Sequence, residues 1–200
     1  MTKQFIGLNG KPIKGESPIV VIDCGAIIDL ECALRRTGLP EDNAGLLLYS
    51  NPNTYVITPL VMKELESHRN MRINGKVKEL ETATLEYCHT ICRRSGEMLL
   101  YLQDGTGYPK DNIGLDVYLA NYVAFEEGHK KRDIDPISMT DREILTIAFY
   151  MAQTRPQLNE LGKVIIASPD AHIRHITSLL NKQDRYPYKV EYYSTRKGRK

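Results

Sequence analysis

The run Pro18-Ile19-Val20-Val21-Ile22-Asp23 restricts the fold of this chain more than any other feature. It is continuous and β-branched rather than alternating, so both of its faces are apolar, as in a parallel strand covered by helices on both sides. A second run of the same kind, Val164-Ile165-Ile166-Ala167-Ser168-Pro169-Asp170, also ends on an aspartate beside a helix start. The expected fold class is α/β, with a central parallel sheet flanked by helices and a domain spanning residues 18–195.

Other elements follow from local chemistry. A helix is expected over 25–37, and Tyr55-Val56-Ile57 reads as a short strand. Thr58-Pro59 opens a helix, with threonine as N-cap and proline at the first helical position. Residues 138–153 form a further helix: Thr140 and Glu143 have capping-box spacing, and Ile144, Ile147, Ala148 and Met151 make an apolar stripe. A strand over 163–167 leads to Ser168-Pro169, a second cap-then-proline pair, and to a helix through Ile173, Ile176 and Leu180. Residues 188–193 alternate enough for a late edge strand.

The middle of the chain, 70–135, is less regular and reads as a helical insertion. It has a charged helical pattern over 76–94, a Gly-rich stretch from Asp104 to Pro109 and another helical pattern over 113–127. Gly105 and Gly107 lack the Gly-Lys-Ser/Thr ending that a phosphate loop requires, which removes a P-loop from consideration.

With 42% hydrophobic and 26% charged residues, the chain has material for a core and does not resemble a disordered sequence. No stretch approaches the roughly 20 apolar residues that cross a bilayer. The polar start Met1-Thr2-Lys3-Gln4 carries no apolar export segment, so residues 1–17 read as an N-terminal tail and the expected location is cytoplasmic. Cys24, Cys32, Cys88 and Cys92 are then expected to be reduced thiols that fill apolar space rather than disulfides or zinc ligands.

Four acidic residues stand where such a fold gathers side chains. In a parallel sheet the residues following different strands converge at one edge, which places Asp23 and Asp170 together. Asp141 lies in the first turn of its helix and Asp170 near the second position of its own, where the dipole favours negative charge. Glu64 lies about one and a half turns into the helix that starts at Thr58-Pro59. Four converging carboxylates repel one another without a cation, and oxygen ligands of this kind suit magnesium or manganese. The chemistry expected of such a site is phosphodiester hydrolysis.

Val21-Ile22-Asp23, the segment from Ile57 through Glu64-Leu65, Thr140-Asp141-Arg142-Glu143-Ile144-Leu145 and Val164 through Asp170 together resemble the ordered signature of PIN-domain nucleases. The closest flavour is that of the PIN modules of PhoH-like proteins, in which a proline and a Val-x-x-Glu-Leu segment precede a long helical stretch. The resemblance implies a PIN-like fold, magnesium- or manganese-dependent cleavage of single-stranded or structured RNA, and frequent homodimers. Carried over by position, Asp23, Glu64, Asp141 and Asp170 would be catalytic metal ligands, and Ser168 the hydroxyl near metal or phosphate. The family usually follows its first aspartate with Thr or Ser and then Asn, where this chain has Cys24-Gly25. That departure underlies one alternative, a catalytically weak RNA- or protein-binding module. Another is a structure-specific DNA nuclease of the related flap-nuclease branch.

A net charge of +2 means that any nucleic-acid surface must be local. Charge gathers at the C-terminus: residues 181–200 hold seven Lys and Arg against two acids. Arg174 and Lys182 on the last helix, with Arg196 and Lys197 in a basic tail over 196–200, are the expected phosphate contacts. Tyr186, Tyr188, Tyr192 and Tyr193 are interleaved with them, either stacking on bases or packing an edge strand inward.

Overall fold

A computed structural model describes residues 18–37, 43–51, 54–68, 70–73, 76–106, 113–128, 137–154 and 163–195. The first strand, β1 (Ile19–Ile22), is buried along its whole length and leads through Asp23 into α1 (Cys24–Thr37). Then come α2 (Ala44–Ser50), β2 (Thr54–Val56), α3 (Pro59–Ser67), β3 (Asn70–Ile73), β4 (Lys76–Glu79), α4 (Thr82–Thr106) and α5 (Ile113–Glu126). The chain closes with α6 (Met139–Thr154), β5 (Val164–Ser168), α7 (Ala171–Asn181) and β6 (Val190–Ser194).

Four strands form the main sheet in the order β2-β1-β5-β6, and every pairing is parallel. Register places Ile19 opposite both Thr54 and Val164, and Ser168 opposite Ser194, so the strand ends are level at one edge. From β1 the chain steps outward to β2, then crosses back to β5 on the other side. The β1/β5 boundary is therefore a topological switch point, where the connections leave a crevice beyond the carboxyl ends of the strands. Asp23 leaves one of those strands and Asp170 the other.

The β-branched runs form central strands because apolar side chains meet them from both faces. Ile19, Val21, Val164 and Ile166 have no exposed surface, and α6 contributes Ile144, Leu145, Ala148 and Phe149 to the same core. The helices of the middle region join that core too, through Leu85, Cys88 and Ile91 of α4 and Ile113, Val117, Ala120 and Ala124 of α5. Their first element differs from expectation. The residues after 70 form the antiparallel β3–β4 pair, with Ile73 opposite Lys76, and α4 begins only at Thr82. The dipeptide Asn74-Gly75 is the hairpin signal that outweighs helical periodicity here.

One further difference concerns a helix start. Helix α2 arises from a cap the apolar pattern does not reveal: Asn43 Oδ1 accepts from Leu46 N at 2.8 Å. Buried Glu31 of α1 fixes the same corner, accepting from Ala44 N at 2.8 Å, Thr84 Oγ1 at 3.0 Å and Arg35 Nε at 3.0 Å. The four cysteines carry no disulfide. Burial pushes the Cys24 and Cys88 thiols up to about 12, so they act as apolar filler. Among the described residues no helix is long and apolar enough to cross a membrane.

Candidate active site at the carboxyl edge of the sheet

Each of the four acids is positioned by a helix start or by the helix that follows one. Asp23 caps α1: its carbonyl accepts from Ala26 N at 3.1 Å and Ile27 N at 3.2 Å, and backbone N–H groups of Gly25 and Cys24 bond its carboxylate. Asp170 caps α7, with Oδ1 accepting from His172 N at 2.7 Å. Asp141 is the third residue of α6. Glu64 is half-buried on α3, whose N-cap is Thr58 and whose first residue is Pro59, as the sequence leads one to expect.

The caps of α6 and α7 differ from the expected ones. Helix α6 is capped by Ser138, whose Oγ accepts from Asp141 N at 3.0 Å and whose hydroxyl bonds the Asp141 carboxylate. The capping pair is thus Ser138 with Asp141, through the serine side chain, not Thr140 with Glu143. Glu143 is released from capping and accepts instead from Leu60 N at 3.2 Å, satisfying a first-turn donor of α3 and tying that helix to α6. In α7, Asp170 rather than Ser168 is the cap, since the helix starts at Ala171.

Ser168 joins the two switch-point aspartates. Its hydroxyl donates to Asp23 Oδ2 at 2.8 Å, and its oxygen accepts from Asp170 N at 3.0 Å. Tyr192 of β6 locks the same turn, donating to the carbonyl oxygens of Ser168 at 2.6 Å and Asp170 at 2.8 Å. Gly25 permits the turn to sit where it does: a Cβ there would lie 2.7 Å from Pro169 Cγ. The Cys24-Gly25 pair therefore has a packing reason in this chain. The Ile57 connection is held from below by Ser95 of α4, whose Oγ accepts from Ile57 N at 3.2 Å.

Electrostatics link the four carboxylates. Burial pushes the Asp141 carboxyl up to about 6; the Ser138 bond opposes this, and the charges of Asp170, Asp23 and Glu64 add to it. Burial also raises Asp23 above its ordinary value, against the Ser168 bond and with the Glu64 charge. The charges acting on these two groups are all negative. Such a donor set suits a hard divalent cation chemically, because a bound cation offsets the repulsion among the carboxylates without protonating them. Its members are not drawn into ligand contact: among the described residues, no group of three or more His, Cys, Asp and Glu stands in metal-binding geometry.

The basic residues fall into three groups. Arg174 is exposed on the first turn of α7, and its N–H bonds Asp170 O at 3.3 Å. Lys182 is the C-cap of α7, about 18 Å along the axis from Asp170 at ~1.5 Å per residue, and so lies away from the carboxylates. Arg196 and Lys197 lie outside the described residues, of which Thr195 is the last. Thr195 N donates to Ser168 O at 3.3 Å, and Thr195 Oγ1 donates to Asp29 Oδ2 at 3.0 Å. Of the late tyrosines, Tyr186 is buried against Phe149 with ring centroids 5.2 Å apart, while Tyr193 is 65% exposed.

Sequence reasoning passed over the capping role of Ser138, the bonds of Tyr192 to the Ser168–Asp170 turn and the Gly25–Pro169 contact. A Ser-x-x-Asp pattern was present at 138–141 to point to the first. The other two depend on tertiary approach and leave no local pattern. Comparison of the chain with family models, curated proteins and solved structures finds no match.

Proposed function

We propose that this chain is a metal-dependent endoribonuclease that hydrolyses RNA phosphodiester bonds at the carboxyl edge of its sheet. The observation that carries the reading is the raised Asp141 carboxyl, lifted first by burial and then by the charges of Asp170, Asp23 and Glu64, at the switch point of an all-parallel sheet. The ordered resemblance to PIN-domain nucleases supports it, through the same four residues. Asp23, Asp141 and Asp170 would hold magnesium or manganese, and Glu64 would orient the attacking water or hold a second ion.

A divalent cation in this site supplies Lewis acidity toward the scissile phosphate and offsets the repulsion among the carboxylates. The chain's own groups supply orientation. Ser168 holds Asp23 in one rotamer and fixes the backbone of Asp170. Ser138 does the same for Asp141. Arg174, with Arg196 and Lys197, would neutralise backbone phosphates of the RNA, a contact that carries affinity but no sequence information.

End-labelled single-stranded RNA and DNA of matching sequence, incubated with the purified chain in magnesium, manganese or EDTA, test the substrate class. Cleavage of RNA in both metals and of neither strand in EDTA is expected. Preferential cutting of DNA junctions would favour the flap-nuclease alternative. RNA binding without cleavage in any metal would favour a binding module.

A further inference from the structure

The two faces of the main sheet are not equally covered. Ile19, Val21, Val164 and Ile166 have no exposed surface, whereas their alternating neighbours Val20, Ile22, Ile165 and Ala167 all keep some. That second face is the floor of a cavity of about 510 Å³, within the ~300–1,000 Å³ of small-molecule sites. The facing wall is α1, whose stripe at i, i+3, i+4 and i+7 is Ala26, Asp29, Leu30 and Ala33. Two alanines leave the space open, and an aspartate stands in a stripe that core packing makes apolar.

Both ends of the cavity are polar. Toward the carboxyl edge, Thr195 Oγ1 donates to Asp29 Oδ2 at 3.0 Å and closes the gap between the end of β6 and α1. At the amino end, Lys163 Nζ lies 2.8 Å from Glu191 Oε2, so the cation that lines the cavity is already paired. Among the described residues no cation pairs with Asp29. Thr195 uses one of the roughly four acceptor positions of that carboxylate, and both oxygens can still accept. Tyr193, in register with Ala167 on the floor, is 65% exposed at the mouth.

We infer that this cavity binds a guanine base, with its N1–H and 2-amino group donating to the Asp29 carboxylate and its ring on the apolar floor beside Tyr193. The carboxylates of the lining are acceptors only, so the ligand must bring donors, and the space between helix and sheet suits a flat body. Of the four RNA bases, guanine alone carries two adjacent N–H donors on one edge, the match for the two oxygens of one carboxylate. Adenine and cytosine place an acceptor beside their amino group, and uracil flanks its N–H with carbonyls; each would set an acceptor against a carboxylate oxygen. Hydrogen bonds to the pairing edge, with stacking on an aromatic ring, are the general means of reading an unpaired base. A free nucleotide and an RNA strand both carry this base, and the second source rests on the nuclease reading above.

Calorimetry on the full chain in EDTA reads the site without cleavage. Guanosine monophosphate is expected to bind at least about tenfold more tightly than the adenosine, cytidine, uridine or inosine monophosphates, the last lacking only the 2-amino group. Asp29→Asn keeps an acceptor for Thr195 and replaces one carboxylate oxygen by a donor. It is expected to lose the guanine preference and to favour xanthosine monophosphate, whose 2-oxygen accepts where the amino group of guanine donates. A purely structural Asp29 gives no such exchange. Equal affinity for all the nucleotides would report their phosphate alone and overturns the inference. So does the absence of binding, or guanine binding that Asp29→Asn leaves unchanged. Manganese-dependent cleavage of an RNA with a single guanine separates the sources. Cutting at a fixed distance from that guanine, competed by guanosine monophosphate, assigns the site to the RNA; cutting indifferent to it assigns the site to a free nucleotide. Guanine binding without any cleavage keeps the site and removes the nuclease reading instead.

Discussion

The Ser168 hydroxyl lies 2.8 Å from Asp23 Oδ2 and donates to it, joining residues 145 positions apart in the chain. Because Ser168 also accepts from Asp170 N, one hydroxyl sets the relative position of both switch-point aspartates. Ser168→Ala removes both bonds and leaves Asp23 buried with one partner fewer. Unfolding by urea is expected to show a loss of about 1–3 kcal/mol, and RNA cleavage to fall with it. Unchanged stability would mean that water replaces the hydroxyl.

Asp141 fixes the pH response. Its carboxyl titrates at about 6 in the folded chain against an ordinary value of 3.8. Between those values the folded state binds more protons than the unfolded state, so stability in EDTA falls as pH rises through this window. Asp141→Asn removes this residue's share of the effect and leaves that of Asp23, which burial also raises, and at neutral pH it is expected to stabilise the metal-free chain by on the order of 1–2 kcal/mol. The gain should vanish below pH about 4. The same proton competes with a cation, so manganese affinity measured by calorimetry is expected to weaken as pH drops through 6.

Gly25→Ala places a methyl group 2.7 Å from Pro169 Cγ, and the turn carrying Ser168 and Asp170 must shift to admit it. Overpacking of this kind costs about 1–3 kcal/mol. The double variant Gly25→Ala/Pro169→Ala removes the ring that clashes. Recovery of thermal stability in the double variant, relative to the sum of the two single effects, is the expected coupling. Additive losses would show that the contact at Pro169 is not what requires glycine.

Much of this edge was legible in the sequence because its determinants are local. The two β-branched runs, the Thr58-Pro59 start and the acid after each central strand predict a parallel sheet with Asp23, Glu64, Asp141 and Asp170 at one edge, and the structure brings those four into electrostatic contact. Cap assignments were less secure, since Ser138 and Thr140 both precede an acid by three residues and only backbone geometry chooses between them. Helix α2 and the β3–β4 hairpin went unread because their signals, Asn43 and Asn74-Gly75, lie in short segments where apolar periodicity has too few residues to register. Tyr192 could not be assigned from sequence, since its bonds to Ser168 and Asp170 exist only once β6 lies beside β5.

Tyr192→Phe isolates that tertiary clamp. It keeps the ring and removes the donor to two carbonyls, with an expected cost of about 0.5–1.5 kcal/mol. The Asp170 backbone loses a restraint, so cleavage is expected to fall by a larger factor than RNA affinity. A kcat-against-KM comparison on one RNA substrate separates those effects.

Cleavage of a single end-labelled RNA by the wild type and by Asp141→Asn, in manganese and again with EDTA, tests the central claim most directly. Metal-dependent products from the wild type and a loss of at least about a hundredfold in the variant, on the order of 3 kcal/mol of transition-state stabilisation, are predicted. Equal cleavage by both proteins, or wild-type cleavage that persists in EDTA, would contradict the assignment of this carboxylate edge as the catalytic centre.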